Sequence, residues 1–286
     1  FFQDGFMQRE RISENVYWFQ SGIYAQVTSG VITGNDWAVV IDTMAIPEET
    51  LQIRSFIEEE LKVPVRYIIN THHQADHTWG NCFFPGSTII SHSLCRLYMQ
   101  ELEQKALEAA QKQNAIYRNT KIVLPHLTFQ NGNMSLRVGK KHLTLIPTPG
   151  NSPDGISILV EEDRILFAGD VFMPIPFIVE GDMDELNRSI KMIGEMSLEN
   201  IIQGHGDIIL RGEIEDSVKE NVAYLAALNK SVRAAMKRKN AVELLEEIDI
   251  ESCGKSKVLL GGLAEELHSR NVYALYRTLL EQTPAQ

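Results

Sequence analysis

The chain has 286 residues, of which 44% are hydrophobic and 23% carry a charge, so it can bury a sizeable core and shows no compositional sign of disorder. A formal net charge of −11 argues against a nucleic-acid partner or an anionic membrane surface, because both require a basic surface. No run of about 20 apolar residues is present to cross a bilayer, which predicts a soluble protein with no membrane partner.

The first third of the chain alternates strands with one helix. β-Branched and aromatic residues predict strands over 16–19, 24–33 and 37–42, with the cluster from Gly34 to Asp36 as the turn between the last two. Pro47 suits a first helical turn, and the apolar stripe that follows it predicts a helix over 47–61. A short apolar strand over 65–69 then leads into the polar segment 70–77.

The remaining two thirds continue this mixed order. We predict strands over 88–90, 134–138, 142–146, 156–160 and 164–168, and helices over 92–118, 184–193, 218–236 and 263–280. No internal repeat, low-complexity tract or flexible linker interrupts them. The sequence therefore predicts an α+β fold in one domain over residues 1–286, in which the C-terminal helices from about 212 pack on the rest.

The three cysteines, Cys82, Cys95 and Cys253, show no CxxC or CxxH spacing. Neither a disulfide framework nor a thiolate zinc site is therefore indicated, and unpaired cysteines slightly favour the cytoplasm. The sequence starts at Phe1 rather than at a methionine, so export after removal of a signal peptide stays open as an alternative. The choice between a monomer and a homo-oligomer also stays open.

Segments with metal-ligand side chains follow four apolar stretches that read as strands. They are His72 to His77, Gly150-Asn151-Ser152, Gly169-Asp170 and Gly204-His205. Imidazole and carboxylate are the usual ligands of Zn²⁺, Fe²⁺ and Mn²⁺, and adjacent glycines allow the backbone to turn into a crowded site. Each segment alone is compatible with an ordinary turn or a structural histidine. Their joint occurrence at the ends of strands predicts a site at the rim of a sheet.

In this order the segments resemble the metallo-β-lactamase-fold superfamily of metallohydrolases. The run from Asn70 to His77 resembles its HxHxDH signature, and Val40-Ile41-Asp42-Thr43 resembles its early strand with a structural aspartate. The Thr148-Pro149-Gly150-Asn151-Ser152 loop, Gly169-Asp170 and Gly204-His205-Gly206 resemble its three later loops. The resemblance spans about residues 10 to 210 and implies a four-layer αββα sandwich, with the site at one edge between two sheets.

The departures from this pattern fall on one half of the site. In the superfamily one metal is held by three imidazoles, and here those positions are His72, Gln74 and Asn151. A carboxamide is a neutral, weak oxygen donor, so the first metal is expected to be absent or weakly bound. Gln74 and Asn151 are either weak ligands or hydrogen-bonding groups for substrate or water. His73, next to His72 in the chain, is expected to point away.

The second ligand set is complete. The resemblance implies one tightly held ion at Asp76, His77, Asp170 and His205, with Zn²⁺ expected and Fe²⁺ or Mn²⁺ as alternatives. Trp79 and Phe177 flank ligand segments, and they either line the substrate pocket or pack in the core. The four histidines outside these segments are expected to have surface or packing roles; they are His92, His126, His142 and His268.

Three functions fit this pattern. The leading one is hydrolysis of a small-molecule lactam, lactone, thioester or other ester by a metal-activated water, with Asp76, His72 and Asp170 as candidate catalytic groups. The second is a non-hydrolytic mononuclear enzyme, a lyase or an iron oxidoreductase. The third is a degenerate scaffold that binds a ligand or a partner without turnover, although buried carboxylates without a compensating cation are costly.

Overall fold

The computed structural model describes residues 6–282, which form two β-sheets with helices on the outer faces. The seven strands of the first sheet lie side by side in sequence order: β1 Gln8–Ser13, β2 Val16–Gln20, β3 Thr28–Thr33, β4 Ala38–Ile41, β5 Val65–Ile69, β6 Thr88–His92 and β7 Leu127–Phe129. The six strands of the second sheet are β8 Met134–Val138, β9 Lys141–Pro147, β10 Ile156–Val160, β11 Ile165–Gly169, β12 Asn200–Gln203 and β13 Ile208–Leu210, again in sequence order across the sheet.

The helices occupy the connections and the C-terminal part. They are α1 Pro47–Ser55, α2 Ala75–Thr78, α3 Ser93–Tyr98, α4 Gln104–Gln113, α5 Met183–Glu195, α6 Ile214–Met236, α7 Ala241–Glu246 and α8 Ala264–Gln282. Two π-helical turns, Phe56–Glu60 and Met99–Glu103, extend α1 and join α3 to α4. Within residues 6–282, no helix has both the length and the apolar character that a membrane crossing requires.

Alternate side chains along each strand point to opposite faces of the sheet, so the apolar side chains form separate layers. Inward-facing residues of both sheets form one cluster, which includes Trp18 and Ile41 of the first sheet and Ile158 and Phe167 of the second. The sheets approach so closely that a Cβ atom on Gly30 would lie 2.3 Å from Phe167 Cε1. The outer face of the first sheet packs on α1, and that of the second packs on α5, α6 and α8. The predicted αββα sandwich is confirmed.

Four strand ends bring the polar segments to one edge of the sandwich. Strands β4, β5 and β6 run parallel, as do β11 and β12, so the carboxyl ends within each set face the same way. An isolated bridge between Val27 and His205 joins the two sheets there. Residues that follow β5, β11 and β12 are therefore neighbours in space although they are far apart in sequence.

Several predicted elements need correction. The strand predicted over 24–33 begins only at Thr28, because Ala25 and Gln26 have positive φ angles that belong to a turn. The helix predicted over 92–118 ends at Gln113 and contains the π-helical turn. The polar segment 70–77 includes the start of helix α2, which the sequence did not indicate. Strands β1, β7 and β13 and helix α7 were not predicted.

Candidate metal centre

Short turns after the strands place the four predicted ligands. Helix α2 carries Asp76 and His77 on consecutive positions, and Asp170 follows β11 directly. A Cβ atom on Gly204 would lie 1.9 Å from Asp170 Oδ1, so only glycine leaves room for this carboxylate beside His205. Gly169, with φ +57, supplies the turn into Asp170 and is closely packed on Thr71.

The structure brings these four side chains together. His77 Nε2 lies 3.2 Å from Asp170 Oδ1, and His205 Nε2 lies 3.6 Å from the same oxygen. His205 Nε2 is 3.3 Å from Asp76 Oδ2. Ligands at about 2.1 Å around one tetrahedral ion are separated by about 3.4 Å, which these distances match. We call Asp76, His77, Asp170 and His205 the acid–imidazole half of the centre.

Both imidazoles of this half are oriented by hydrogen bonds at Nδ1. His77 Nδ1 is 2.8 Å from Asp42 Oδ2, and His205 Nδ1 donates to the Ala25 carbonyl at 2.8 Å. The Asp42 carboxylate is itself held by the backbone N–H and the hydroxyl of Thr71. With Nδ1 held in this way, the Nε2 atom of each ring faces the centre. In protein metal sites, a ligating histidine usually donates the N–H of its other ring nitrogen to a carboxylate or a carbonyl in the same manner.

Two buried atoms have the chemistry expected of metal ligands. His77 Nε2 and Asp170 Oδ1 have no hydrogen-bond partner among the described residues, and both side chains are buried. Buried polar atoms without a partner are rare because they are costly. A divalent ion between them would satisfy both, so the residues present fit the metal that the superfamily pattern implies.

The titration behaviour reflects the negative charge of this half. Burial alone would lower the pKa of His205, but Asp170 and Asp76 raise it to about 10. The same carboxylates, with Asp42, raise the pKa of His77 well above its usual value against the effect of burial. Burial raises the pKa of Asp170, but His77 and His205 outweigh this and lower it well below its usual value. The negative field that stabilises the imidazolium form also attracts a metal cation, and a bound ion would replace the proton on each Nε2 atom.

The other predicted positions form a second group, His72, Gln74 and Asn151, which we call the amide half. His72 Nε2 is 3.6 Å from Asp170 Oδ2 and 3.2 Å from Gln74 Oε1, so it joins the centre through the shared carboxylate. Donor atoms of His72, His77 and Asp170 lie within 4.8 Å of one another, as do those of Asp76, His77 and His205. His72 therefore lies within reach of Asp170, the carboxylate that the two halves share.

The amides are fixed by the segment that follows Phe177. Gln74 Nε2 donates to Glu180 Oε2 at 3.0 Å, which directs its Oε1 towards His72. A Cβ atom on Gly181 would lie 2.4 Å from the Asn151 carbonyl oxygen, so this segment also covers Asn151. Asn151 is buried, and its Nδ2 has no hydrogen-bond partner among the described residues.

His73 points away from the centre, as the sequence predicted. Its Nδ1 is 3.1 Å from Asp154 Oδ1, and its Nε2 is 3.4 Å from Glu180 Oε2. Burial lowers its pKa, but the hydrogen bonds to these two carboxylates reverse the effect and raise it to about 9. A charged His73 therefore connects the Asp154 loop to the segment that orients Gln74.

Trp79 and Phe177 are both buried in apolar clusters. Trp79 Nε1 donates to Glu103 Oε2 at 2.8 Å, and burial is the main reason that the pKa of Glu103 is raised to about 7. Neither residue lines the cavity of about 870 Å³ that has Tyr24 and Ala25 on one side and Ser269 on the other.

The remaining histidines have the structural roles expected of them. His268 Nδ1 lies 3.0 Å from the Tyr224 hydroxyl, and His126 Nδ1 accepts from the Ile89 N–H. His92 caps α3, and His142 pairs with Glu162 at the surface. None of these side chains belongs to the clusters of donor atoms found within residues 6–282.

Sequence reasoning missed the groups that support the site. Asp154 and Glu180 follow ligand-like segments, but both are ordinary loop residues in the sequence. Tyr24 and Glu103 are also coupled to the centre electrostatically, since Asp76 contributes to the raised pKa of Tyr24 and, after burial, to that of Glu103. The Pro-Asp-Gly run at 153–155 signals only a turn, so no local pattern marks these residues.

Comparison with known proteins agrees with this geometry. Residues 23–231 match the family model of the metallo-β-lactamase superfamily. The chain belongs to this superfamily. A metallo-β-lactamase family protein from Thermus thermophilus, TTHA1429, has the same fold, with a TM-score of 0.70 and 18% identity over 95% of both chains.

Two curated relatives are more limited matches. Thioesterase pkgB of Emericella nidulans is 20% identical over 199 residues, which cover 69% of this chain and 50% of that protein. The β-lactamase-like protein 2 homolog of Caenorhabditis elegans is 25% identical over 104 residues, 36% of this chain and 35% of that protein. The chain thus spans half or less of the length of these relatives.

Proposed function

We propose that this metallo-β-lactamase superfamily member is a metal-dependent hydrolase of thioesters, other esters, lactones or lactams, with one Zn²⁺ in the acid–imidazole half. The observation that carries the proposal is the pair of buried, unpartnered atoms His77 Nε2 and Asp170 Oδ1, 3.2 Å apart. A carboxylate and an imidazole in this state are the donor set that zinc binds. The resemblance to a thioesterase supports thioesters as the first substrates to test.

Zinc bound here would supply a water of lowered pKa and a positive charge facing the substrate carbonyl. Side chains of the protein would supply the proton acceptor and the metal ligands. The Asp76 side chain is 16% exposed and Asp170 only 4%, so Asp76 is the carboxylate that solvent reaches. We assign to Asp76 the acceptance of the proton from the attacking water, and to Asp170 the role of a ligand.

The amide half holds the substrate in this proposal. Burial lowers the pKa of His72 and keeps its ring neutral, and the Thr71 hydroxyl donates to Asp42. His72 Nδ1 therefore donates to Thr71 Oγ1, and the unprotonated Nε2 faces two other acceptors, Gln74 Oε1 at 3.2 Å and Asp170 Oδ2 at 3.6 Å. A donor group of the substrate or a cation between them would satisfy all three atoms. The unpartnered Asn151 Nδ2 is a donor suited to an oxygen of the substrate that gains negative charge.

The test combines metal analysis with a substrate panel. We expect about one equivalent of zinc in the purified protein, and hydrolysis of at least one member of a thioester, ester, lactone and lactam series that a chelator abolishes and zinc restores. The His205→Ala variant should lose both the metal and the activity while keeping its circular dichroism spectrum. Full retention of metal by this variant would contradict the proposal, and tightly bound iron with oxygen-dependent chemistry would favour the non-hydrolytic alternative.

A further inference from the structure

Glu49 is a buried carboxylate that lies outside the metal centre. It stands in the first turn of α1, and only 1% of it is exposed. No cationic side chain of the described residues pairs with it. Both of its oxygens instead accept hydrogen bonds from residues 21–27, the connection between β2 and β3, which we call the β2–β3 turn. A buried carboxylate is costly unless hydrogen bonds compensate it, so the turn and the carboxylate hold each other in one arrangement.

The start of the β2–β3 turn is built around the Ser21 hydroxyl. Ser21 Oγ accepts the N–H of Ile23 at 3.1 Å and that of Tyr24 at 2.8 Å, so its own proton is donated to Glu49 Oε2 at 2.7 Å. The Gly22 N–H donates to Glu49 Oε1 at 2.9 Å. Three consecutive N–H groups of the turn therefore depend on one carboxylate, either directly or through Ser21.

The other end of the β2–β3 turn contacts the loop of the metal ligand His205. The Ala25 carbonyl accepts from His205 Nδ1 at 2.8 Å, and the Gln26 carbonyl accepts from the Gly206 N–H at 3.0 Å. Val27 forms an isolated bridge with His205. The acceptor that orients the His205 ring is therefore a backbone carbonyl, whose position depends on the conformation of the turn.

The middle of the turn needs support from outside. Ala25 and Gln26 have φ angles of 47 and 52, in the left-handed region that residues other than glycine rarely adopt. On the side of α8, the turn borders the cavity of about 870 Å³, so it is not closely packed there. Its apolar contacts come from Ile23 and Val27, on either side of these two residues. The position of the Ala25 carbonyl therefore depends on the hydrogen bonds at the base of the turn.

Two backbone hydrogen bonds connect the base of the turn to its middle. The Ser21 N–H donates to the Val27 carbonyl at 2.8 Å, and the Val27 N–H donates to the Tyr24 carbonyl at 3.1 Å. Ala25 and Gln26 are thus the central residues of a four-residue turn that is closed between Tyr24 and Val27. A shift of Ser21 would therefore move the Ala25 carbonyl relative to its donor.

We propose that Glu49 is a positioning residue for the metal ligand His205 and that it acts through the β2–β3 turn. The inference rests on the zinc centre of the proposed function and adds a residue that none of its ligands contacts. Glu49 does not take part in the bond-breaking step. Without its carboxylate, His205 Nδ1 has a less well placed acceptor, and the ring is less well oriented to bind zinc through Nε2.

The first experiment measures zinc affinity in Glu49→Gln. Glutamine keeps the shape of the side chain, but its NH₂ group then faces another donor, either the Ser21 hydroxyl or the Gly22 N–H. Competition with a chromophoric chelator should show a zinc affinity about 3- to 10-fold below that of the wild-type protein, less than the loss expected for a direct outer partner of a ligand. Wild-type affinity in this variant would overturn the inference.

Ser21→Ala breaks the same connection from the side of the turn. We expect it to reduce zinc affinity by a similar factor. The double variant with Glu49→Gln should lose much less than the product of the two single effects, because both changes remove one shared interaction. Fully multiplicative losses would show that the two residues act separately, which contradicts the inference.

Two control variants on α1 separate positioning from simpler effects. Glu48→Gln makes the same change of charge at the exposed neighbouring residue, and Ile53→Val removes a buried methyl group without touching the turn. Both should keep the wild-type zinc affinity. A loss in Glu48→Gln equal to that in Glu49→Gln would identify a general effect of charge. An equal loss in Ile53→Val would identify an effect of stability, and either result would overturn the inference.

Hydrogen exchange in the metal-free protein tests the connection without zinc or turnover. The Gly206 N–H belongs to the loop of His205 and donates to the Gln26 carbonyl. Its exchange should be about 5-fold or more faster in Glu49→Gln and unchanged in Glu48→Gln, because only the first change loosens the turn. Unchanged exchange at Gly206 in Glu49→Gln would overturn the inference. If the wild-type protein binds no zinc, the proposed function fails, and this measurement still decides whether Glu49 holds the loop of His205.

Discussion

The acid–imidazole half and the amide half of the centre share Asp170 but differ in the atoms they offer. In the first half, outer hydrogen bonds fix both imidazoles so that unpartnered acceptors converge. In the second half, Gln74 Nε2 donates to Glu180, and Asn151 Nδ2 has no hydrogen-bond partner among the described residues. The two halves therefore differ in their donors, with two imidazoles and two carboxylates in the first and one imidazole with two carboxamides in the second. We propose that the second half binds a polar group of the substrate.

The largest expected effect separates the two halves by metal affinity. Removing His205 in an alanine variant should weaken zinc binding by about 100-fold or more, because each ligand carries a share of a large binding free energy. Gln74→Ala should change it by less than about 10-fold, since a neutral amide is a weak donor. Competition with a chromophoric chelator measures both values. Equal losses of zinc affinity in the two variants would contradict the proposed difference between the halves.

Restoring the imidazoles should reverse the comparison. The double variant with Gln74→His and Asn151→His should take up about two equivalents of zinc instead of about one, because the amide half then offers three imidazoles. Metal analysis after dialysis against limiting zinc measures the stoichiometry. Each single variant serves as a control and should bind the second ion more weakly. A double variant that folds and still binds one equivalent would show that some other feature prevents occupancy.

The outer support of His77 should have an intermediate effect. Asp42→Asn keeps a side chain that tolerates the positive φ of 55 at this position but removes the charge beside His77 Nδ1. Zinc affinity should fall by about 10-fold or more, as for other changes to outer hydrogen-bond acceptors. Asp36→Asn, at an exposed hairpin position, makes the same change of charge and should have no effect. Undiminished affinity in Asp42→Asn would mean that ligand orientation does not depend on this carboxylate.

The smallest expected effect concerns Glu103. The charges of His73, Asp76 and Glu180 all influence its pKa. Burial raises its pKa from 4.5 to about 7, so the folded state keeps the proton at pH values where the unfolded chain has lost it. The free energy of unfolding is therefore largest below pH 4.5 and decreases as the pH rises through about 7.

Relative to Glu103→Gln, the wild-type protein should lose about 2–3 kcal/mol of unfolding free energy between pH 4.5 and pH 8. Urea unfolding of both proteins at several pH values measures the difference. Parallel curves for the two proteins would indicate that Glu103 is already ionised across this range. Glutamine keeps an oxygen that can accept from Trp79 Nε1, so the comparison isolates the charge.

The predicted strands and helices were most accurate where apolar side chains repeat with a clear period. The strands predicted over 65–69, 134–138 and 156–160 coincide with β5, β8 and β10. Strand β1 was missed because its exposed, charged sequence has no apolar face, and β7 and β13 are only three residues long. Such short or peripheral strands form through backbone hydrogen bonds to a neighbouring strand. The local sequence does not show that this neighbour is present.

The sequence alone was sufficient to predict the four candidate ligands, their order, and the amides Gln74 and Asn151 at two positions where the superfamily has imidazoles. The surroundings of these residues depend on the tertiary structure, because Asp154 and Glu180 contact His73 and Gln74 only when distant segments pack together. The type of each side chain can be read directly from the sequence. A hydrogen bond such as that from Gln74 to Glu180 instead depends on the packing of two loops at one edge of the sheet.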